Sequence, residues 1–517
     1  MCYDTLWKQT GARSSTVLRI HCNLSFRFQK DLLPLNTTNN IEPRVDSSGI
    51  QEPPTTLWKS LRQIGPGIIL AGTIVGSGEL VLTTAIGAEH GFVFLWLILF
   101  SCVIKVFVQI ELGRYAISSG QPTLQALRNI SRYRWVGLAM LYWWIGMLFC
   151  TVFQLGGMTG GVGQCLNSAF PSFGQNVSST SSYASTWLGE YFFARPELPW
   201  AVMTCVATVL LIYGGSYRRI ESLTTIIVVG VTLVTVIATI ALFFTSYAPN
   251  LTSIIDGLKF QIPSKGVAQA FAVFGITGVG ATELFYYPYW CIEKGYAKFV
   301  GPNDGSLAWE NRAKGWIRIM HLDAWISMVV FTLSTVAFYT MGAAVLHPQE
   351  LVPKGSAMIN ALSEMYKGPF GDWTQVLFLI GAGAVLFKTL YLACAANSRM
   401  VVDFMSIVGA IATPSPLLKS RLLKLFCVLF PITALAMYVV QRDPQLMVRL
   451  GGMAQAATLP MMAFATLCFR YTKLSPCLRP SIVSDVFLWI ASIAILMVAM
   501  YAVPDSLSKI VALFQPT

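Results

Sequence analysis

Gly72-Thr73-Ile74-Val75-Gly76-Ser77-Gly78-Glu79 interrupts a stretch of otherwise apolar sequence between Gly65 and Glu89. Glycine inside a helix costs about 1 kcal/mol relative to alanine. An unwound segment in hydrocarbon also leaves peptide groups without partners, at several kcal/mol each. A break of this composition, carrying a carboxylate, must therefore face protein or a wet cavity. A second interruption, Gly275-Ile276-Thr277-Gly278-Val279-Gly280-Ala281-Thr282-Glu283, falls five spans later and is likewise flanked by helix-length apolar sequence. Interrupted segments at matching positions of two halves point to an inverted-repeat architecture. Residues 61–250 form the first repeat and 251–470 the second, and because five is odd the second runs inverted.

The rest of the chain agrees with a membrane protein. Of 517 residues 55% are hydrophobic and 12% charged, against about a quarter charged in soluble domains. At roughly 20 residues per span, about eleven transmembrane helices are expected: 65–89, 92–113, 136–160, 199–215, 223–247, 267–291, 321–346, 375–396, 422–440, 446–469 and 483–503. The net charge of +12 reads as topology and not as a nucleic-acid footprint. Eighteen Lys and Arg gather in loops 114–134, 216–222, 292–318, 397–424 and 470–482, which marks these as cytoplasmic. The N-terminus is then cytoplasmic and the C-terminus outside, in a multi-pass protein of the plasma or inner membrane. Residues 1–60 read as a disordered cytoplasmic extension, 167–198 as a Ser- and Gly-rich external connection, and 471–517 as the last span with a short tail, Ser506–Phe514 being a candidate interfacial helix.

Glu79 and Glu283 carry the chemistry. A carboxylate near the bilayer centre costs several kcal/mol unless it is protonated, paired or bound to a cation. If the breaks face each other, both carboxylates become ligands of one cation. Ser77 and Thr282, with backbone at Gly76, Gly78, Gly278 and Gly280, would add neutral oxygens, a hard set suited to Mg²⁺, Ca²⁺ or Mn²⁺. The competing reading is close helix packing at the glycines, with Glu79 paired to Lys105 or Lys388. Gln154, Lys388, Asn397 and Gln455 are candidates for lining a pathway or for interhelical hydrogen bonds. Tyr286 lies in the aromatic run Phe285–Trp290, which either covers the site or packs near the interface. Glu111, Arg114, His321 and Asp323 fall near span ends and read as solvated pairs. Four His without metal spacing and eleven Cys without a CxxC pair argue against a membrane enzyme and imply no cofactor. The expected partners are a divalent cation or small solute, a proton or Na⁺ as coupling ion, and lipid. A channel-like or non-transporting membrane protein is the alternative from another class.

Gly65-Pro66-Gly67, the break after it, Gly87-Ala88-Glu89-His90-Gly91-Phe92, Leu95-Trp96-Leu97-Ile98-Leu99 and Ser118-Ser119-Gly120 resemble the first two helices of the natural resistance-associated macrophage protein (Nramp) divalent-metal transporters. Gly280-Ala281-Thr282 resembles the start of that family's sixth-helix motif. The resemblance implies a leucine-transporter-like fold of 5+5 inverted repeats and a secondary transporter working by alternating access. The family's Asp-Pro-Gly-Asn falls on Gly76-Ser77-Gly78-Glu79, which keeps only the glycine. Its Met-Pro-His falls on Leu284-Phe285-Tyr286, and its third-helix acidic residue on Gln154. The implied site is thus atypical and all-oxygen. Gly76-Ser77-Gly78 also looks like the first-helix motif of the amino acid–polyamine–organocation transporters, whose amides hold a substrate carboxylate; an amino acid or organic cation is the alternative substrate.

Overall fold

A computed structural model describes residues 49–172, 195–213, 217–261, 273–275, 277–353, 358–411 and 415–514. Most of the 1–60 extension, most of the 167–198 connection and the first part of the sixth span lie outside these residues. Among the described residues every regular element is helical. Eight helices among the described residues are long and apolar enough to cross a bilayer, or nine when a bent pair is counted as one span.

The bent pair is the first span. Its halves are α1, Pro66–Ile74, and α2, Gly78–His90, set at 41° to one another. Then follow α3 (Leu95–Ser119) and α4 (Arg134–Ala169), α5 (Leu198–Ile212), α6 (Tyr217–Leu242) and α7 (Ala281–Lys294). The second half continues with α8 (Leu307–Leu346), α9 (Asp372–Ile407), α10 (Pro416–Val440) and α11 (Pro444–Lys473), and ends with α12 (Ile482–Phe514). Each expected span has a helical counterpart. Two are short: α5 has 15 residues, and α7, the half of the sixth span beyond its break, has 14. The expected separate helix at Ser506–Phe514 is instead the continuation of α12.

Two packed groups flank the broken spans. In one, α4 packs against α5, α9, α10 and α11. Close approach there depends on small residues: a Cβ on Gly160 would lie 2.0 Å from the Tyr438 ring of α10. In the other, α8 packs against α3 and α6, with a hydroxyl pair between Thr232 and Ser334 at 2.7 Å. Between them α1 touches α6, α7, α8 and α9, and all nine of its residues are buried. A helix apolar all round is stable only in such a setting.

The start of α1 is held by Asp323 of α8. Its carboxylate accepts from the amides of Gly65 at 2.9 Å and Gly67 at 2.6 Å, two of the donors a helix start leaves unpaired. A buried negative group there also meets the positive end of the helix dipole. Asp323 is fully buried, and Glu111 and Arg114 nearly so, so these residues are internal rather than solvated. Glu111 pairs with Arg114 at 3.0 Å and with Arg470 at 3.5 Å, while Arg114 contacts His321 at 2.8 Å; this joins α3, α8 and α11. The chain just before α1 is anchored at the same end, where Tyr296 donates to the Gln63 carbonyl at 2.8 Å and Trp316 to that of Gln51 at 2.9 Å. Asp323→Ala is expected to destabilise the protein by roughly 3 kcal/mol, through two lost charge-assisted hydrogen bonds and two stranded amides. Thermal unfolding in detergent measures it, and a wild-type transition in the variant would show that this clamp contributes nothing.

Candidate functional site

The first break begins where α1 stops. Val75 leaves helical geometry at ψ 80°, and the chain re-enters a wide helical turn at Gly78–Thr83, so Glu79 sits one residue inside that turn. Gly76 permits the kink to press on α9, since a Cβ there would lie 2.3 Å from Thr389 Oγ1. The carbonyls of Gly72 and Val75, at the end of α1, are both taken by the ammonium of Lys388, the first at 2.7 Å.

At the second break Gly278 has φ +67°, a left-handed conformation that glycine adopts without penalty. The turn before it is helical at residues 273–275. Lys105 donates to the carbonyls of Phe274 at 2.6 Å and Thr277 at 2.5 Å. Lys105 is fully buried, so its stem does not reach an interface.

Glu79 joins the two breaks. Its carboxylate accepts from the amide of Gly278 at 3.2 Å and, more weakly, from that of Gly76 at 3.5 Å. No lysine lies within ion-pair distance of it among the described residues, since Lys105 and Lys388 are turned onto carbonyls.

Glu283 is placed differently. It lines a small cavity together with Ser77, Gly78, Gln154, Thr282, Tyr286 and Gln455, and the cavity has about 30 Å³ of free space. Glu79, Gly76, Gly278, Gly280, Lys388 and Asn397 are absent from that lining. Asn397 stands behind it, accepting from the Tyr286 hydroxyl at 3.0 Å.

A polar chain runs across the cavity wall from one break to the other. Gln154 approaches Ser77 Oγ at 3.5 Å. Gln455 Nε2 donates to Gln154 Oε1 at 2.8 Å, which turns Gln455 Oε1 toward Thr282. The Thr282 hydroxyl then lies 2.8 Å from both Gln455 Oε1 and Glu283 Oε2. A hydroxyl has one proton and can satisfy one of those acceptors. The other contact is satisfied by a proton on Glu283, by reversed Gln455 and Gln154 amides, or by a cation. Gly280 makes room for this convergence, because a Cβ there would lie 2.6 Å from each of the two oxygens.

Sequence reading did not single out Thr73, Thr151, Met158 and Thr389, which also line the cavity. Thr151, Gln154, Leu155 and Met158 follow an i, i+3, i+4, i+7 spacing, so a helical-face argument from Gln154 identifies two of these neighbours, Thr151 and Met158, along with Leu155. Met158 places a thioether in a wall otherwise rich in oxygen. Among the described residues no group of three or more His, Cys, Asp or Glu is assembled to hold a metal.

Comparison with known proteins bears on the whole chain. The family model described as natural resistance-associated macrophage protein-like matches residues 67–504. An uncharacterized protein of Pasteurella multocida (strain Pm70) is 22% identical over 382 residues, covering 71% of this chain and 76% of that relative. The crystal structure of the Eremococcus coleocola manganese transporter with an aromatic bis-isothiourea substituted compound is similar at TM-score 0.59 and 17% identity, covering 92% of this chain and 93% of that one. Mhp1, a nucleobase-cation-symport-1 family transporter in a closed conformation with bromovinylhydantoin bound, is similar at TM-score 0.52 and 15% identity, covering 85% and 90%. At such identities the likeness is one of fold, the leucine-transporter-like arrangement of broken first and sixth spans. With the family match running through nearly all of both repeats, the chain is a multi-pass membrane transporter rather than an enzyme, and it belongs to the natural resistance-associated macrophage protein-like (Nramp) family of metal-ion transporters.

Proposed function

We propose that this chain is a secondary transporter that carries a divalent cation by alternating access, binding it at the cavity beside Glu283. The observation that carries the reading is the buried Glu283 carboxylate lining a polar cavity, with the Thr282 hydroxyl 2.8 Å from it and Gln455 beside them. A cation bound there compensates the buried carboxylate. Glu283 supplies the charge, and Thr282, Gln455 and Ser77 supply neutral oxygen, a set suited to a hard ion. The cavity has about 30 Å³ of free space, room for an ion or for one or two waters.

Glu79 acts as a staple that keeps the break turns together while the ion is bound. Spans one and six rock against the scaffold of α4, α5, α9 and α10, which pack on one another. The basic loops orient the chain with its N-terminus in the cytoplasm and its C-terminus outside, in a plasma or inner membrane. Uptake of Mg²⁺, Mn²⁺, Ca²⁺ and a panel of amino acids into proteoliposomes tests the reading, with proton and Na⁺ gradients imposed in turn. Saturable uptake of at least one divalent cation is expected. Uptake of an amino acid with no divalent transport would overturn the proposal, as would a current far above carrier turnover.

A further inference from the structure

The two buried lysines repeat one arrangement at both breaks. The last carbonyls of a helix have no partners within it and carry the negative end of its dipole. In transporters with broken helices these ends are where Na⁺ or a proton is held. Here Lys388 covers the end of α1 by donating to Gly72 and Val75, and Lys105 covers the turn before Gly278 by donating to Phe274 and Thr277. Both are fully buried. Among the described residues their hydrogen bonds go to these carbonyls and to no carboxylate.

Lys388 is the one next to the cavity. Thr389, its neighbour in α9, lines the cavity along with Thr73 and Ile74 from the last turn of α1. Thr389 Oγ1 also lies 3.3 Å from the Gly72 carbonyl that Lys388 engages. Removing the Lys388 side chain would therefore leave two carbonyls and a hydroxyl around a space beside the substrate site. Such oxygens suit a small monovalent cation.

We infer that Lys388 is a tethered cation occupying the carbonyl end of α1, the place where a mobile monovalent ion would otherwise bind. The inference rests on the carrier reading given above. It assigns Lys388 a positioning role: the ammonium holds the end of α1 in the geometry that the cavity needs, and touches no substrate.

The test has a transport arm and a binding arm. Lys388→Ala is expected to lose about tenfold or more of wild-type divalent uptake in choline, and to regain most of it in Na⁺ or methylammonium. In the binding arm, purified wild type, Lys388→Ala and Lys388→Met are melted in detergent with increasing Na⁺, K⁺ or methylammonium and no divalent ion. A saturable rise in melting temperature is expected for Lys388→Ala and is expected to be absent from wild type. Lys388→Met, which keeps most of the stem but no charge, should respond less because it fills the space.

A Lys388→Ala protein that transports normally in choline or melts alike in every salt overturns the inference. Variants that fold in no salt also overturn it, since the lysine would then be a structural pin that no free cation replaces. If wild type transports no divalent cation while the variant still gains a monovalent site, the substrate reading fails and the tethered-cation assignment stands.

Discussion

Glu283→Gln is expected to lower divalent-cation uptake at subsaturating concentration by at least about 100-fold, the upper range seen for loss of a residue that merely supports a metal ligand. The substitution keeps the shape of the side chain and one oxygen, and removes the charge that lines the cavity. It also supplies a donor at Thr282, because an amide NH₂ can donate to a neighbouring oxygen. The variant should therefore fold at least as well as wild type while failing to bind. Radiotracer or fluorescence uptake into proteoliposomes, set beside thermal melting of the same preparation, separates the two effects. Glu79→Gln is expected to show the opposite pattern. There the carboxylate accepts from Gly278 and Gly76, and an amide turns a donor toward one of those amides. Stability and turnover should fall, while apparent cation affinity stays close to wild type.

Gly280→Ala is expected to abolish transport with little change in the amount of folded protein. The added methyl would lie 2.6 Å from both Gln455 Oε1 and Glu283 Oε2, closer than real contacts allow. Forcing these groups apart costs about 1–3 kcal/mol if the side chains give way, and they are flexible enough to do so. What they cannot do afterwards is converge on one ion. Gly280 has φ −80°, so alanine is tolerated by the backbone and the effect is confined to the space the methyl fills. Metal-dependent thermal stabilisation reads the loss directly: wild type should gain stability with added cation, and Gly280→Ala should gain none.

Much of this was legible because a membrane narrows the options. Apolar length marks spans, and a glycine-rich carboxylate-bearing interruption inside one is costly enough to demand a reason. The same logic drew attention to Gln154 and Gln455, whose amides do form the bridge between the breaks. What sequence could not reveal is which way each polar group turns. Glu79 and Glu283 look equivalent as carboxylates at matching interruptions, but Glu79 lies just beyond its break and is folded onto backbone amides, whereas Glu283 opens the first turn of α7 and faces the cavity. Lys105 and Lys388 looked like partners for Glu79. They are instead consumed by carbonyls that helix geometry leaves unpaired, a demand that appears only once the points of breakage are known. Asp323 escaped for a related reason: a carboxylate near a span end is usually wet, and only the packing of α8 against the start of α1 reveals that it is buried.

The most direct test of the account is anomalous diffraction from crystals of the purified protein soaked in Mn²⁺. The account predicts an anomalous peak inside the cavity, within about 2.5 Å of Glu283 and of at least one oxygen from Thr282 or Gln455, and its disappearance in Glu283→Gln crystals. A peak held by Glu79 and away from Glu283, or no ordered ion at the breaks under conditions that support uptake, would contradict it.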